Sequence, residues 1–136
     1  MRKLYVICLM FALLCTIAYA AAKKYPMTAA STVPGARADV EISKDKNGNT
    51  KVKMTVHHLA NPANLTPPAT GYVVWLQERN GESANQGQLR MDKNLQATFE
   101  TVTSLKNFDV FVTAESDFGV KGPSGPQVLT ATVQPR

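Results

Sequence analysis

From residue 36 onward, apolar and polar residues alternate with a period of two. Ala38, Val40 and Ile42 alternate with Arg37, Asp39, Glu41 and Ser43, the pattern of a strand with one buried face. Val52, Met54 and Val56 alternate with Lys51, Lys53 and Thr55. Between these runs stands Asp45-Lys46-Asn47-Gly48-Asn49, and its Asn-Gly pair predicts a tight hairpin because both residues tolerate positive φ. Tyr72-Val73-Val74-Trp75-Leu76 is apolar without interruption, which predicts a strand covered on both faces. Leu89 and Met91 mark a short strand. Leu95, Ala97, Phe99 and Thr101 mark the next, and Phe108, Val110, Val112 and Ala114 another; Val128 to Val133 closes the series. Two longer segments interrupt it: Asn61–Gly71, with three prolines, and the Gly- and Pro-rich Ser116–Pro126. Seven short strands and no helix predict an all-β fold, a seven-stranded antiparallel β-sandwich of immunoglobulin- or fibronectin-like size. Trp75, Val74, Val110 and Val112 are its expected core, with Trp75 as the anchor.

The alternation is missing from the first 35 residues. Arg2 and Lys3 precede an apolar run from Leu4 to about Ala18, and Ala18-Tyr19-Ala20 places small residues three and one before a cut. This is the layout of a secretory signal peptide over residues 1–20. Leu4 to Ala22 also approaches the roughly 20 apolar residues of a membrane-spanning helix, so an uncleaved N-terminal anchor in the inner membrane is the alternative. Both cysteines, Cys8 and Cys15, lie inside this segment. Neither follows the small residue that lipoprotein processing requires. Residues 21–35 carry two prolines and no hydrophobic period, and read as a flexible leader to a domain spanning 36–136. The expected destination is the periplasm or the exterior, with no disulfide available to the processed chain.

Cleavage after Ala20 leaves 116 residues, one domain's worth. It also removes two of the fifteen basic residues against ten acidic ones, which lowers the net charge from +5 to +3. The basic residues alternate with apolar ones along strands and are not interleaved with aromatics. Nucleic acid is therefore not an expected partner.

The parts for catalysis are missing as well. The processed chain has no cysteine, and no Gly-x-Ser-x-Gly or Ser-x-x-Lys sequence occurs. Asp109, Glu115 and Asp117 do not group as an acid–base pair or as a calcium loop. The expectation is a protein that is not an enzyme, with no catalytic, cofactor or metal residues and no cofactor. The rival is a periplasmic carrier of copper or a small ligand using His57, His58 and the methionines, since soft metal sites need Met, Cys or His gathered together. Adjacent strand residues point to opposite faces, so His57 and His58 cannot share one metal without a bulge. Met54 and Met91 fall on apolar faces as core filler. Asn64-Leu65-Thr66 is a glycosylation sequon only in a eukaryotic secretory pathway. The remaining candidates are the loops 61–70 and 116–127, which either present a binding surface on a rigid scaffold or serve only as crossovers between sheets.

Several segments in order carry a family resemblance: Tyr72-Val73-Val74-Trp75-Leu76-Gln77, the turn at Asn80-Gly81, Gly87-Gln88-Leu89-Arg90-Met91-Asp92, Phe108 to Glu115, and Gly122-Pro123-Ser124-Gly125-Pro126-Gln127-Val128-Leu129. This order resembles the C-terminal extracytoplasmic domain of the anti-sigma-K factor family. That pattern has an aromatic-x-x-Trp-Leu strand, a Gly-led strand, a strand of the F-x-V-T-x-E kind and a Pro-x-Gly-Pro-x-Val-Leu closing segment. It covers about residues 71–130 and is also similar to small exported bacterial proteins with this domain alone. The resemblance implies a bacterial β-sandwich that senses or regulates through its surface, with another envelope protein as partner. Three residues precede the apolar segment, which leaves no counterpart of the family's sigma-binding part. The family's outer domain supplies no catalytic residues to carry over.

Overall fold

The computed structural model describes residues 22–134; the segment read as a signal peptide lies outside the described residues. Among the described residues nine strands form in chain order: β1 (Lys23–Pro26), β2 (Thr28–Ala29), β3 (Arg37–Lys44), β4 (Thr50–His57), β5 (Gly71–Glu78), β6 (Ser83–Leu89), β7 (Ala97–Thr103), β8 (Phe108–Glu115) and β9 (Gln127–Val133). They make two antiparallel sheets, a four-stranded one ordered β1-β3-β4-β7 and a five-stranded one ordered β2-β9-β8-β5-β6. The count corrects the expected seven. The two additions come from the segment read as a flexible leader: β1 pairs with β3, and β2 pairs with β9. Between them Met27 N–H donates to Ala38 O (2.9 Å) and Ala30 N–H to Val128 O (2.8 Å), so the chain steps from one sheet to the other and closes one side of the sandwich. Val33, 1% exposed, plugs the turn that follows.

The alternating residues do what their period predicts. Val40, Ile42, Val52, Met54 and Val56 from one sheet meet Tyr72, Val74, Leu76, Val110, Val112 and Leu129 from the other in one continuous core. Trp75 is fully buried but does not belong to it. With Val73 and Phe111 it forms a second cluster on the outer face of the five-stranded sheet, covered by Phe118 and Val120 of the β8–β9 loop. Trp75 and Phe111 stack there with ring centroids 6.3 Å apart. The uninterrupted apolar run of β5 is thus explained by cover on both faces, while the expected anchor of the main core sits in the smaller one.

The β3–β4 connection also differs from expectation. Only Gly48 of the Asn-Gly pair takes positive φ, at +80°. Asp45 closes the turn by accepting from Asn47 N–H (2.9 Å) and Asn49 N–H (2.8 Å) through Oδ1. Asp92 repeats this with Asn94 N–H and Gln96 N–H. The backbone bonds match as well: Gly48 N–H to Asp45 O and Leu95 N–H to Asp92 O. Asp-Lys-Asn therefore writes the same turn twice, with Gly48 in one and Leu95 (φ +59°) in the other at the left-handed position.

Candidate functional site

The register places both loops singled out in the sequence at one end of the sandwich. Gly71 at the start of β5 pairs with Glu115 at the end of β8, and Thr70 N–H donates to Glu115 O at 3.1 Å. Segment 61–70 crosses from the four-stranded to the five-stranded sheet, with a single 3-10 turn at Pro62–Asn64. Asn61 Oδ1 caps that turn by accepting from Ala63 N–H, and Pro62 is buried. Tyr72 ties the crossover to β5. Its hydroxyl donates to Ala60 O at 2.7 Å, and burial pushes its pKa up to about 12. The other loop joins the neighbours β8 and β9 within one sheet, so it is no crossover. It folds back over the outer face of that sheet.

A buried carboxylate holds this second loop down. Glu115, 1% exposed, accepts through Oε1 from Thr113 Oγ1 (2.7 Å), Ser124 N–H (3.0 Å) and Gly125 N–H (3.2 Å). Ser124 Oγ donates to its Oε2. Thr113 Oγ1 in turn accepts from Trp75 Nε1 at 2.8 Å. Burial alone would raise the Glu115 pKa, but the bonds from the Ser124 and Thr113 hydroxyls and from the Ser124 and Gly125 amides together hold it below the usual carboxylate value. Further along, Asn85 Nδ2 donates to Phe118 O and Val120 O, both at 2.9 Å. The backbone approach is close: a Cβ on Gly125 would run into the Ala114 carbonyl oxygen, and one on Gly71 would meet the Phe118 ring at 2.6 Å. The loop is thus fixed at both halves, while Asp117, Lys121 and Pro123 remain exposed.

Two shallow grooves lie beside these loops, one at this end and one along β6. One of about 490 Å³ is lined by Pro62, Tyr72, Leu89, Arg90, Met91 and Leu95 among others. The other, about 550 Å³, runs between Ser83–Gly87 of β6 and Phe118–Lys121 of the loop.

The remaining sequence candidates are placed apart. His57 ends β4 half-buried, and His58 leaves the strand at φ +57° with its ring centroid 6.5 Å away. Met54 is fully buried in the core, while Met27 and Met91 pack against it at its edges. Among the described residues no group of three or more His, Cys, Asp or Glu side chains could hold a metal ion. Asp109 accepts from Thr132 Oγ1 (2.7 Å) at the far end of β8 from Glu115. Asp117 Oδ1 accepts from Gly119 N–H within its own loop. The chain Trp75–Thr113–Glu115–Ser124 was not foreseen as a unit. Its signal in the sequence is that Phe111-Val112-Thr113-Ala114-Glu115 is too apolar for a strand with one wet face, so something must cover the other. No protein-family model matches the chain, and no curated protein matches it.

Proposed function

We propose that this chain is a non-enzymatic exported β-sandwich that acts as a protein-interaction or sensing module at the bacterial cell envelope, with another envelope protein as its partner. One observation carries the reading: the 116–126 loop is held by a buried carboxylate and a second buried cluster, beside the 61–70 crossover. A loop already ordered loses little entropy on binding. The layout adds support. Lys23 lies opposite Ile42, and Val133 opposite Phe108, so the described chain enters and leaves at the end away from both loops. A domain tethered or exported from its N-terminal side would turn the loops outward.

The immunoglobulin- or fibronectin-like reading of the sandwich draws on its two adjacent hairpins, β5–β6 and β8–β9, in one sheet and its connections between sheets. The likeness to the anti-sigma-K outer domain gains from where its motifs meet. Trp75 of the aromatic-x-x-Trp-Leu strand, Thr113 and Glu115 of the Phe108–Glu115 strand, and Ser124 and Gly125 of the closing segment form one hydrogen-bonded chain. A motif order shared for that reason would preserve the loop's anchor rather than a reaction centre.

The test replaces exposed loop residues outside the anchor. Asp117→Ala with Lys121→Ala should reduce capture of a specific partner from envelope extract by immobilised protein, while the melting temperature stays within a degree or so. Undiminished capture would remove the loop from the binding surface.

A further inference from the structure

The four outer strands of the two sheets are not equally protected. An unpaired strand edge is a template for another chain, and proteins blunt such edges with short strands, Lys, Pro or bulges. β1 has four residues including Lys23, Lys24 and Pro26, and β2 has two. β6 is interrupted by a register shift opposite Val74 and Trp75, with Gly87 at φ +121°. β7 carries no Lys, Pro or bulge, and its one charge is Glu100. Its seven residues Ala97–Thr103 pair with β4 in unbroken register, contain no Pro, Gly or Lys, and include four β-branched residues among Thr98, Thr101, Val102 and Thr103. Among the described residues its only sheet neighbour is β4, and none of the loop and turn backbone bonds involves it. Val102 is 51% exposed on its outer face.

The outer face of this sheet also states what a further strand should carry. One row across the four strands reads Lys24, Glu41, Lys53, Glu100, alternating in sign. Opposite charges directly across strands stabilise pairing and like charges oppose it. Lys51 Nζ reaches Glu100 diagonally at 3.9 Å. The row stops at Glu100, on the open edge, after a negative charge. Antiparallel self-pairing of β7 over its full length would set Glu100 against Glu100, the central residue of Ala97–Thr103, so a second copy is the wrong occupant.

We propose that the β7 edge accepts one extended antiparallel segment of a partner protein by β-strand addition, with Lys or Arg opposite Glu100 and β-branched residues opposite Val102 and Thr98. Read from its N-terminus, the segment is β-branched, any residue, basic, any residue, β-branched. This surface is separate from the two loops and does not depend on them.

The probes are two labelled seven-residue peptides, Ser-Val-Ser-Lys-Ser-Val-Ser and its counterpart with Glu at the centre, read by fluorescence anisotropy and by amide exchange of the protein. The Lys peptide should bind about five-fold or more tightly than the Glu peptide, from the size of cross-strand charge pairs, and should slow exchange at β7 amides only. Glu100→Lys should invert the preference, and Glu100→Gln should level it if the Lys variant melts too low to use. Asp117→Ala with Lys121→Ala should leave peptide binding unchanged, which separates failure here from failure of the loop reading. No binding by either peptide, protection elsewhere than β7, or a preference indifferent to the charge at residue 100 would each overturn the proposal.

Discussion

A carboxylate that is 1% exposed needs either a cation or a set of donors, and Glu115 has the donors. Four bonds from Thr113, Ser124 and Gly125 keep it ionised below the usual carboxylate range despite its burial. A pKa lower in the folded state than the ordinary 4.5 means that the unfolded chain takes up the proton more readily. The contribution to stability is therefore complete above about pH 4.5 and disappears as pH falls through the lower, folded value. Glu115→Gln should cost about 1.5–3 kcal/mol at neutral pH, the range for a hydrogen bond to a charged group. It should also flatten the acid limb of a plot of melting temperature against pH. Curves for the two proteins that run parallel below pH 4.5 would assign that limb to other groups. The twin Asp-Lys-Asn turns offer a second measurement at this scale. A Cβ on Gly48 would meet nothing within 4 Å, so Gly48→Ala tests conformation alone. It should cost about 1–2 kcal/mol, the left-handed penalty, in a denaturant titration. Leu95 bears that penalty already.

At the scale of elements, burial governs how much of the fold could be read in advance. β3, β4, β5, β7, β8 and β9 announce themselves because each sets at least one face against the core, and apolar residues recur at the matching period. β6 does not, since Ser83-Ala84-Asn85-Gln86-Gly87-Gln88 is an edge strand whose side chains bond outward; Gln86 accepts from Thr101 across the sheets, and Asn85 holds the loop. The expected strand around Leu89 and Met91 caught only its end. β1 and β2 were illegible because four and two residues cannot display a period. Tertiary pairing alone makes them strands. The position of Trp75 was half legible: its burial follows from the run it sits in, but the face depends on a loop forty residues later. Trp75→Ala should cost about 3–5 kcal/mol, and its mark should be local. Amides of 116–126 should lose exchange protection well before those of β4, whereas Val74→Ala should weaken both sheets together. Equal loss everywhere after Trp75→Ala would mean that the outer cluster and the main core are one cooperative unit.

At the scale of the molecule, the two sheets are closed differently on their two sides. The N-terminal segment steps from β1 in one sheet to β2 in the other and seals one side. The opposite side is left to β6 and β7, joined by a side-chain bond from Thr101 to Gln86 at 2.8 Å. Chain entry and exit share one end, and the fixed loop and the crossover share the other. Eight-residue strands separate these ends by roughly 25 Å at about 3.4 Å per residue. A dye, a bead or a fused carrier attached at Ala22 or at Gln134 therefore stands about a strand length from the 61–70 crossover and from Asp117, two residues past the end of β8. A label at either of these two residues leaves the crossover end of the sandwich unshaded.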